Sequence, residues 1–366
     1  MNLNKQIRRL LLLDGLSNLH LAGTAWVLLL TPRGFTLTQI GLAEGVFHLV
    51  SLCCELPSGM LADLLGRKWT LAASRAMGAL SALAMITART GLGVCLAMGL
   101  CALGYNLASG TREAITYDSL LQCGQAERYL RVSAWQNIFW RGAGAAALLV
   151  AGLTAALGYR LAYGLDILVD ALAVLTALGL TEPAVGAPER RPRLSELPRG
   201  FRDCARDAAD FLRANPAAAA VMLFNALVGA LATLLGFFLQ DGLTSAGAGN
   251  ALLGPLLLLV ALGGVAGSRA ALLLERLPYR LTGLLCLAGV AAGAALSLTG
   301  RLPLLAAGGL LASACDDAFQ MLTDARLNAM IPSQRRATLI SVSSMTFSLV
   351  MIVLSPLTGA VWEGLL

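Results

Sequence analysis

Charge is scarce in this sequence. Asp, Glu, Lys and Arg make up 13% of its 366 residues, where a soluble domain carries about 25%. A chain that is 57% hydrophobic, with a mean hydropathy of +0.73, cannot cover a folded core with polar surface. A soluble globular protein is therefore excluded, and the chain is integral to a membrane. Histidine is almost missing: His20 and His48 are the only two. They supply neither the H-E-x-x-H of a metal-dependent hydrolase nor a Ser/His/Asp set, which argues against an embedded enzyme. No G-x-x-x-x-G-K-[ST] phosphate loop occurs, so ATP does not drive the protein's work through that motif. The eight cysteines are scattered, with Cys53 and Cys54 the one adjacent pair, and no spacing suggests zinc or a disulfide framework. No metal ion and no cofactor is expected. Phe, Trp and Tyr are 6% of the chain, so an aromatic cage for a flat compound or sugar would be small. Its candidates are Trp26, Tyr105, Trp135, Trp140, Phe224 and Phe319. The net charge of +6 is almost all arginine and is divided among connections, not gathered on one face, so nucleic acid is not a partner.

What the chain has in abundance is apolar runs long enough to cross a hydrocarbon core of roughly 30 Å. Eleven are expected: about 10–30, 37–58, 69–88, 92–118, 132–156, 159–181, 216–239, 250–274, 281–299, 303–327 and 337–361. Lys5, Arg8, Arg9 and the leucines after them resemble the start of a signal peptide. No small-x-small cleavage site follows, and the run continues to Leu30, so it reads as a retained first helix. Basic residues crowd the connections on one side, while only Arg33, Arg89, Arg160 and Arg301 fall on the other. That asymmetry places the N-terminus in the cytoplasm.

Residues 182–214 form the one long polar segment. It carries Pro183, Pro188, Pro192 and Pro198, a basic cluster at Arg190, Arg191 and Arg193, and then alternating Arg and Asp that suit a surface-lying amphipathic helix. Three parts follow: 1–181, a six-helix bundle; 182–214, a cytoplasmic linker; and 215–366, a five-helix bundle. The halves echo one another. Asp118 and Asn328 end matching helices about 210 residues apart, the same separation as Asp63 and Glu275. The expected fold is an all-α polytopic membrane protein of two pseudo-symmetric helical bundles, six helices plus five.

The stretch Gly59-Met60-Leu61-Ala62-Asp63-Leu64-Leu65-Gly66-Arg67-Lys68 is a short charged island between two spanning runs. Its glycines permit close helix approach and a tight turn, and its Asp63 near a helix end needs a partner. The island resembles the loop 2–3 signature of the major facilitator superfamily, G-x-L-a-D-r-x-G-r-k, except at Leu64, where the family has a basic residue. Glu55-Leu56-Pro57-Ser58 is similar to the lead-in of many bacterial members. The resemblance implies a secondary transporter working by alternating access. It assigns a conformational latch to Glu55, Gly59, Asp63, Gly66, Arg67 and Lys68. The family's plan has a twelfth helix, so an eleven-helix chain is expected to be either a natural variant or a truncated, inactive product.

Ionisable residues inside spans are costly and default to function. Asp14 and Asn18 share a face of helix 1, and Glu44 and His48 form an i, i+4 pair on helix 2. Helices 4 and 5 are the most polar of the first half, with Tyr105, Asn106, Arg112, Glu113, Trp135, Asn137 and Arg141. Helix 6 carries Asp166 and Asp170, for which contact with Arg141 or Arg160 is expected. By resemblance, the substrate cavity takes Asp14, Asn18, Tyr105, Asn106, Trp135, Asn137, Arg141, Asn225 and Gln320. Arg112, Glu113 and Asp118 become a cytoplasmic gate. Proton coupling falls to Asp316 or Asp317, with Glu44 and His48 as a second pair. The two aspartates are adjacent on a helix, about 100° apart, so at most one is expected to point squarely into the cavity. The antiporter signature of helix 5 is not matched, since Gly142, Gly144 and Gly152 lack its spacing and its proline.

The expected function is proton-coupled export of a small molecule by a monomer in the plasma membrane. The partners are the lipid bilayer, the substrate and protons. The alternatives are an uptake permease for a sugar or organic anion, and a non-transporting membrane protein.

Overall fold

The computed structural model describes residues 1–184, 197–330 and 336–365. Side chains at 56–60, 63, 197, 198, 200, 201, 204, 205, 207, 208, 336–340 and 365 lie outside the described set, and with them Gly59 and Asp63 of the expected latch. Among the described residues all regular structure is helical. The helices are α1 Leu3–Asn18, α2 Leu21–Thr24, α3 Trp26–Leu30, α4 Leu37–Leu65, α5 Arg67–Thr87, α6 Gly91–Ala108, α7 Thr111–Gln122 and α8 Tyr129–Leu149. They continue with α9 Ala151–Leu157, α10 Tyr159–Leu178, α11 Leu197–Ala214, α12 Pro216–Ser245, α13 Asn250–Leu274, α14 Tyr279–Ser297, α15 Leu302–Met330 and α16 Arg336–Leu365.

Nine of the described helices are long and apolar enough to cross a membrane, or ten if α8 and α9, bent by 55°, are one span. Eleven runs were expected; the two outside the nine are the bent α8–α9 pair and helix 1. The stretch 10–30 is not one rod: α1 stops at Asn18, and α2 and α3 follow as separate turns. An apolar count cannot see such a break, because the leucines on either side of His20 keep the run hydrophobic enough. Helix 4 is also interrupted, at Gly110, whose φ of 72° is open to glycine and strained for other residues. Residues 197–214 form the amphipathic helix expected in the linker.

Packing divides the chain into two compact units. The first holds 1–24, 50–150 and 157–205; the second holds 25–49, 151–156 and 206–366. In the first, α5 is the central rod, flanked by α6 and α10, while α1 lies on α8 and α10. Leu10, Leu13, Leu71, Ile115, Ala173 and Leu180 form its apolar core. The α5–α6 contact is close enough for backbone to matter. Ser74 Oγ donates to the Gly104 carbonyl at 2.7 Å, and Ser81 Oγ to the Ala97 carbonyl at 2.7 Å.

In the second unit α15 is central, packed on α12, α13 and α14, with α16 against α12. The α13–α15 seam is built on glycine. A methyl group at Gly263 or Gly267 would run into the carbonyls of Leu310 or Ala314, so the two backbones touch. The 25–49 segment joins this unit in the same way. Gly41 lies on the Ser355 carbonyl of α16, and Gly359 lies on that of Leu37. Glu363 closes the contact, accepting from the Thr38 backbone N–H at 3.0 Å and its hydroxyl at 2.6 Å.

Candidate functional site

The second unit encloses a cavity of about 640 Å³ between α12, α15 and α16. Its polar lining comes from Asn225 and Thr233 on α12, Asp316, Asp317, Gln320, Asp324 and Asn328 on α15, and Ser343 and Ser344 on α16. Met222, Leu327 and Phe347 supply apolar wall. Asn225 donates to Gln320 Oε1 at 2.9 Å, which orients both carboxamides from opposite walls. No Lys, Arg or His is among the described lining residues. Carboxylates inside apolar helices are costly when bare.

Both aspartates contribute to the lining, but their carboxylates diverge, as their adjacent positions on the helix require. Gly229 of α12 faces Asp316, and a Cβ there would sit 3.4 Å from Asp316 Oδ1. Gly264 of α13 faces Asp317, and a Cβ there would overlap its carboxylate. Asp316 thus faces α12 and the cavity, while Asp317 turns toward α13. The Glu44–His48 pair is one ring away. The two side chains are 3.3 Å apart and buried, His48 Nδ1 lies 3.4 Å from Ser348 Oγ, and the imidazole packs edge-on to Phe347 at 5.5 Å.

In the first unit the expected residues separate into three kinds. Asp14, 2% exposed, lies 3.4 Å from Arg112, which also pairs with Glu113 at 2.7 Å and stacks its guanidinium over Trp140. One expected cavity residue and two expected gate residues are thus a single cluster. Asn18 donates to the Trp140 carbonyl at 2.9 Å. Asn106 is corrected to a packing residue: it is 1% exposed and spends its amide on Ser51 Oγ at 2.9 Å and the Ala102 carbonyl at 2.8 Å. Tyr105, Trp135, Asn137 and Arg141 are exposed.

The turn between α4 and α5 is held by groups the sequence did not single out. Gly66 makes it with a φ of 91°, and Arg67 pairs with Asp118 of α7. Glu182, just past α10, accepts from the backbone N–H of Arg67 and of Lys68, each at 2.8 Å. It therefore caps α5, whose first amides have no partner within the helix. Gln6 ties the same end together, donating to Ser119 Oγ at 3.1 Å and to the Thr181 carbonyl at 3.0 Å while accepting from the Thr181 N–H. An acid between a threonine and a proline at a helix exit carries no sequence signal for capping a helix more than a hundred residues earlier. Glu182→Ala should lower stability by about 1 kcal/mol, the usual worth of such a cap. Thermal unfolding of the purified protein, followed by helical circular dichroism, checks this; an unchanged midpoint would contradict it.

Broken helices, glycine seams and an acidic cavity inside apolar helices describe a multi-pass membrane transporter. The sequence profile of the Major Facilitator Superfamily matches residues 12–295. The chain belongs to that superfamily and is a transporter, not an enzyme. Its fold is similar to that of the nucleoside transporter NupG, with 18% identity and a TM-score of 0.78 over 100% of this chain and 92% of that one. It is also similar to an inward-facing, unoccupied bacterial homologue of the human lysosomal transporter Spinster, with 18% identity and a TM-score of 0.70 over 97% and 80% of the two chains. A D-xylose-proton symporter matches with 11% identity and a TM-score of 0.64 over 97% and 88%. No curated protein matches the chain in sequence.

Proposed function

We propose that this protein is a proton-coupled secondary transporter of a small hydrophilic molecule, working by alternating access. The observation that carries the reading is the cavity on α15. Asp316, Asp317 and Asp324 stand there beside two paired carboxamides and several hydroxyls. A proton on Asp316 or Asp317 would remove one of the site's negative charges when it is empty. Exchange of that proton for substrate would couple the two movements. Export is the direction favoured by the Glu55-Leu56-Pro57-Ser58-Gly59 lead-in and the Thr116-Tyr117-Asp118-Ser119-Leu120 segment, which resemble those of export-type members.

In this reading the protein is a monomer in the plasma membrane, with its N-terminus and the 182–214 linker in the cytoplasm. Residues 1–181 and 215–366 are the two moving halves. Glu55, Gly59, Asp63, Gly66, Arg67 and Lys68 form the latch. Arg112, Glu113 and Asp118 serve the cytoplasmic gate, and Glu44 with His48 assists proton transfer. A second reading, uptake of a hydroxylated solute, is supported by the amide and hydroxyl lining and by neighbours described as a nucleoside transporter and a D-xylose-proton symporter. An organic anion fits poorly, since acids would repel it and Arg112 is already engaged by Asp14 and Glu113. The test is proton flux in liposomes containing the purified protein, challenged with nucleosides, sugars, organic cations and organic anions. A hydrophilic compound that moves protons is the expected result. No flux with any compound, from protein shown to be folded, would contradict the proposal.

A further inference from the structure

The break in helix 1 is enclosed by charge. Residues 19 and 20 separate α1 from α2, leaving backbone groups on both sides without helical partners. On one side, Arg75 of α5 donates from Nη1 to the Ser17 carbonyl at 3.4 Å. On the other, Asp166 of α10 accepts three consecutive backbone N–H bonds, from Leu21 at 2.7 Å, Ala22 at 3.1 Å and Gly23 at 3.0 Å. Asp170, one turn further along α10, lies 3.7 Å from Arg75 and 3.3 Å from His20. Gly78 makes room for it, since a Cβ there would stand 2.6 Å from Asp170 Oδ2. All of these residues belong to the first unit. The partners of the two helix-6 acids are therefore Arg75, His20 and helix 1 itself, which corrects the expected contact with Arg141 or Arg160.

Two features of this cluster point to a bound proton. The first is charge. Asp166, Asp170 and Arg75 are 3%, 1% and 8% exposed, and with a neutral His20 the group carries one uncompensated negative charge. A buried net charge is costly, and one proton removes it. The second is geometry. His20 Nε2 and Asp170 Oδ1 face each other at 3.3 Å, a distance at which the imidazole donates an N–H to the carboxylate. A second proton on the ring turns that contact into a charge-assisted bond and balances the cluster's charge. The charged groups facing His20 are Asp166 and Asp170 of α10 and Arg75 of α5. Cys101 of α6 is a further titratable neighbour of Arg75, and Arg141 of α8 makes no ion pair among the described residues. His20, with its side chain 28% exposed, is the least buried member of the cluster.

We propose that the His20–Asp170 pair binds this second proton, and that the protonated pair, with Arg75 and Asp166, holds helix 1 in its broken form. The cluster is then a proton-binding site of the first unit, additional to the acids on α15. Binding the proton fastens the break; losing it leaves a buried charge that loosens the contact between helices 1, 3 and 6.

Thermal unfolding of the purified full-length protein in detergent between about pH 5.5 and 8 tests this without any transport assay. The wild-type midpoint should fall as pH rises, by on the order of 3 °C more than that of His20→Gln. His20→Gln should be less stable at the acidic end and lack that part of the slope. The double variant His20→Gln/Asp170→Asn should regain the lost stability at every pH, because Arg75 and Asp166 then balance one another. Asp170→Asn alone should also lack the slope. A His20→Gln profile parallel to wild type would overturn the proposal, as would a double variant less stable than His20→Gln. Neither outcome bears on whether the α15 cavity couples protons to substrate, so the two readings fail separately.

Discussion

Replacing Asp316 with Asn should abolish proton-driven accumulation while leaving the protein folded. Asp316 lines the cavity beside Gly229 and opposite Phe347. Asn keeps its size and its capacity for hydrogen bonds, so the packing of α15 on α12 is undisturbed. What changes is that the site can no longer alternate between charged and neutral. A bare carboxylate at membrane depth costs roughly 2.5–3.5 kcal/mol, a bias of about 100-fold between protonated and unprotonated states. With Asn the accumulation ratio should fall to about one, simple equilibration, because no proton is exchanged, while exchange of labelled for unlabelled substrate across liposomes continues. Retained accumulation in Asp316→Asn, with Asp317 intact, would remove Asp316 from the coupling mechanism.

The second large effect is steric. Gly267→Val should destabilise the protein by about 3 kcal/mol or more, at or beyond the upper end for overpacking. In an ordinary core, an inserted methylene is relieved by side chains moving. Here a Cβ on Gly267 would meet the backbone of Ala314, which has no rotamer to change. The α13–α15 seam would have to open, carrying Asp316 and Asp317 with it. Gly236→Ala on α12 is the control, because nothing lies within 4 Å of the added methyl; it should stay within about 0.5 kcal/mol of wild type. Unfolding midpoints of the two variants, read side by side, decide the point. Equal stability would show that the seam is not close-packed.

Much of this architecture was legible because hydropathy and charge asymmetry act at the scale of a whole span. The apolar runs from α4 to α16 correspond to helices, and the 59–68 island carries the resemblance that the superfamily profile then bears out. Asp316 and Gln320 were singled out because polar groups in an apolar helix stand out locally. Pairings were another matter. Glu182 caps α5 across 115 residues of sequence, and Asp166 holds the backbone of residues 21–23 across more than 140. Such contacts leave no periodicity to read. The break after Asn18 was hidden for the same reason: its cause is a carboxylate on another helix, not a proline or glycine at the break. Asn106 misled in the opposite sense. It looks like a cavity group in sequence, but its neighbour Ser51 is a hydrogen-bond partner only in three dimensions.

The central claim is that a carboxylate on α15 exchanges a proton as substrate binds. It is tested most directly by titrating the purified protein with its substrate in weakly buffered detergent solution and counting protons with a pH indicator. The account predicts release of about one proton per substrate bound for wild type and none for Asp316→Asn. Uptake of a proton would keep the coupling and replace export with the co-transport reading. A wild-type protein that binds substrate with no proton change, or a change that survives when Asp316 and Asp317 are both replaced by Asn, would contradict the claim.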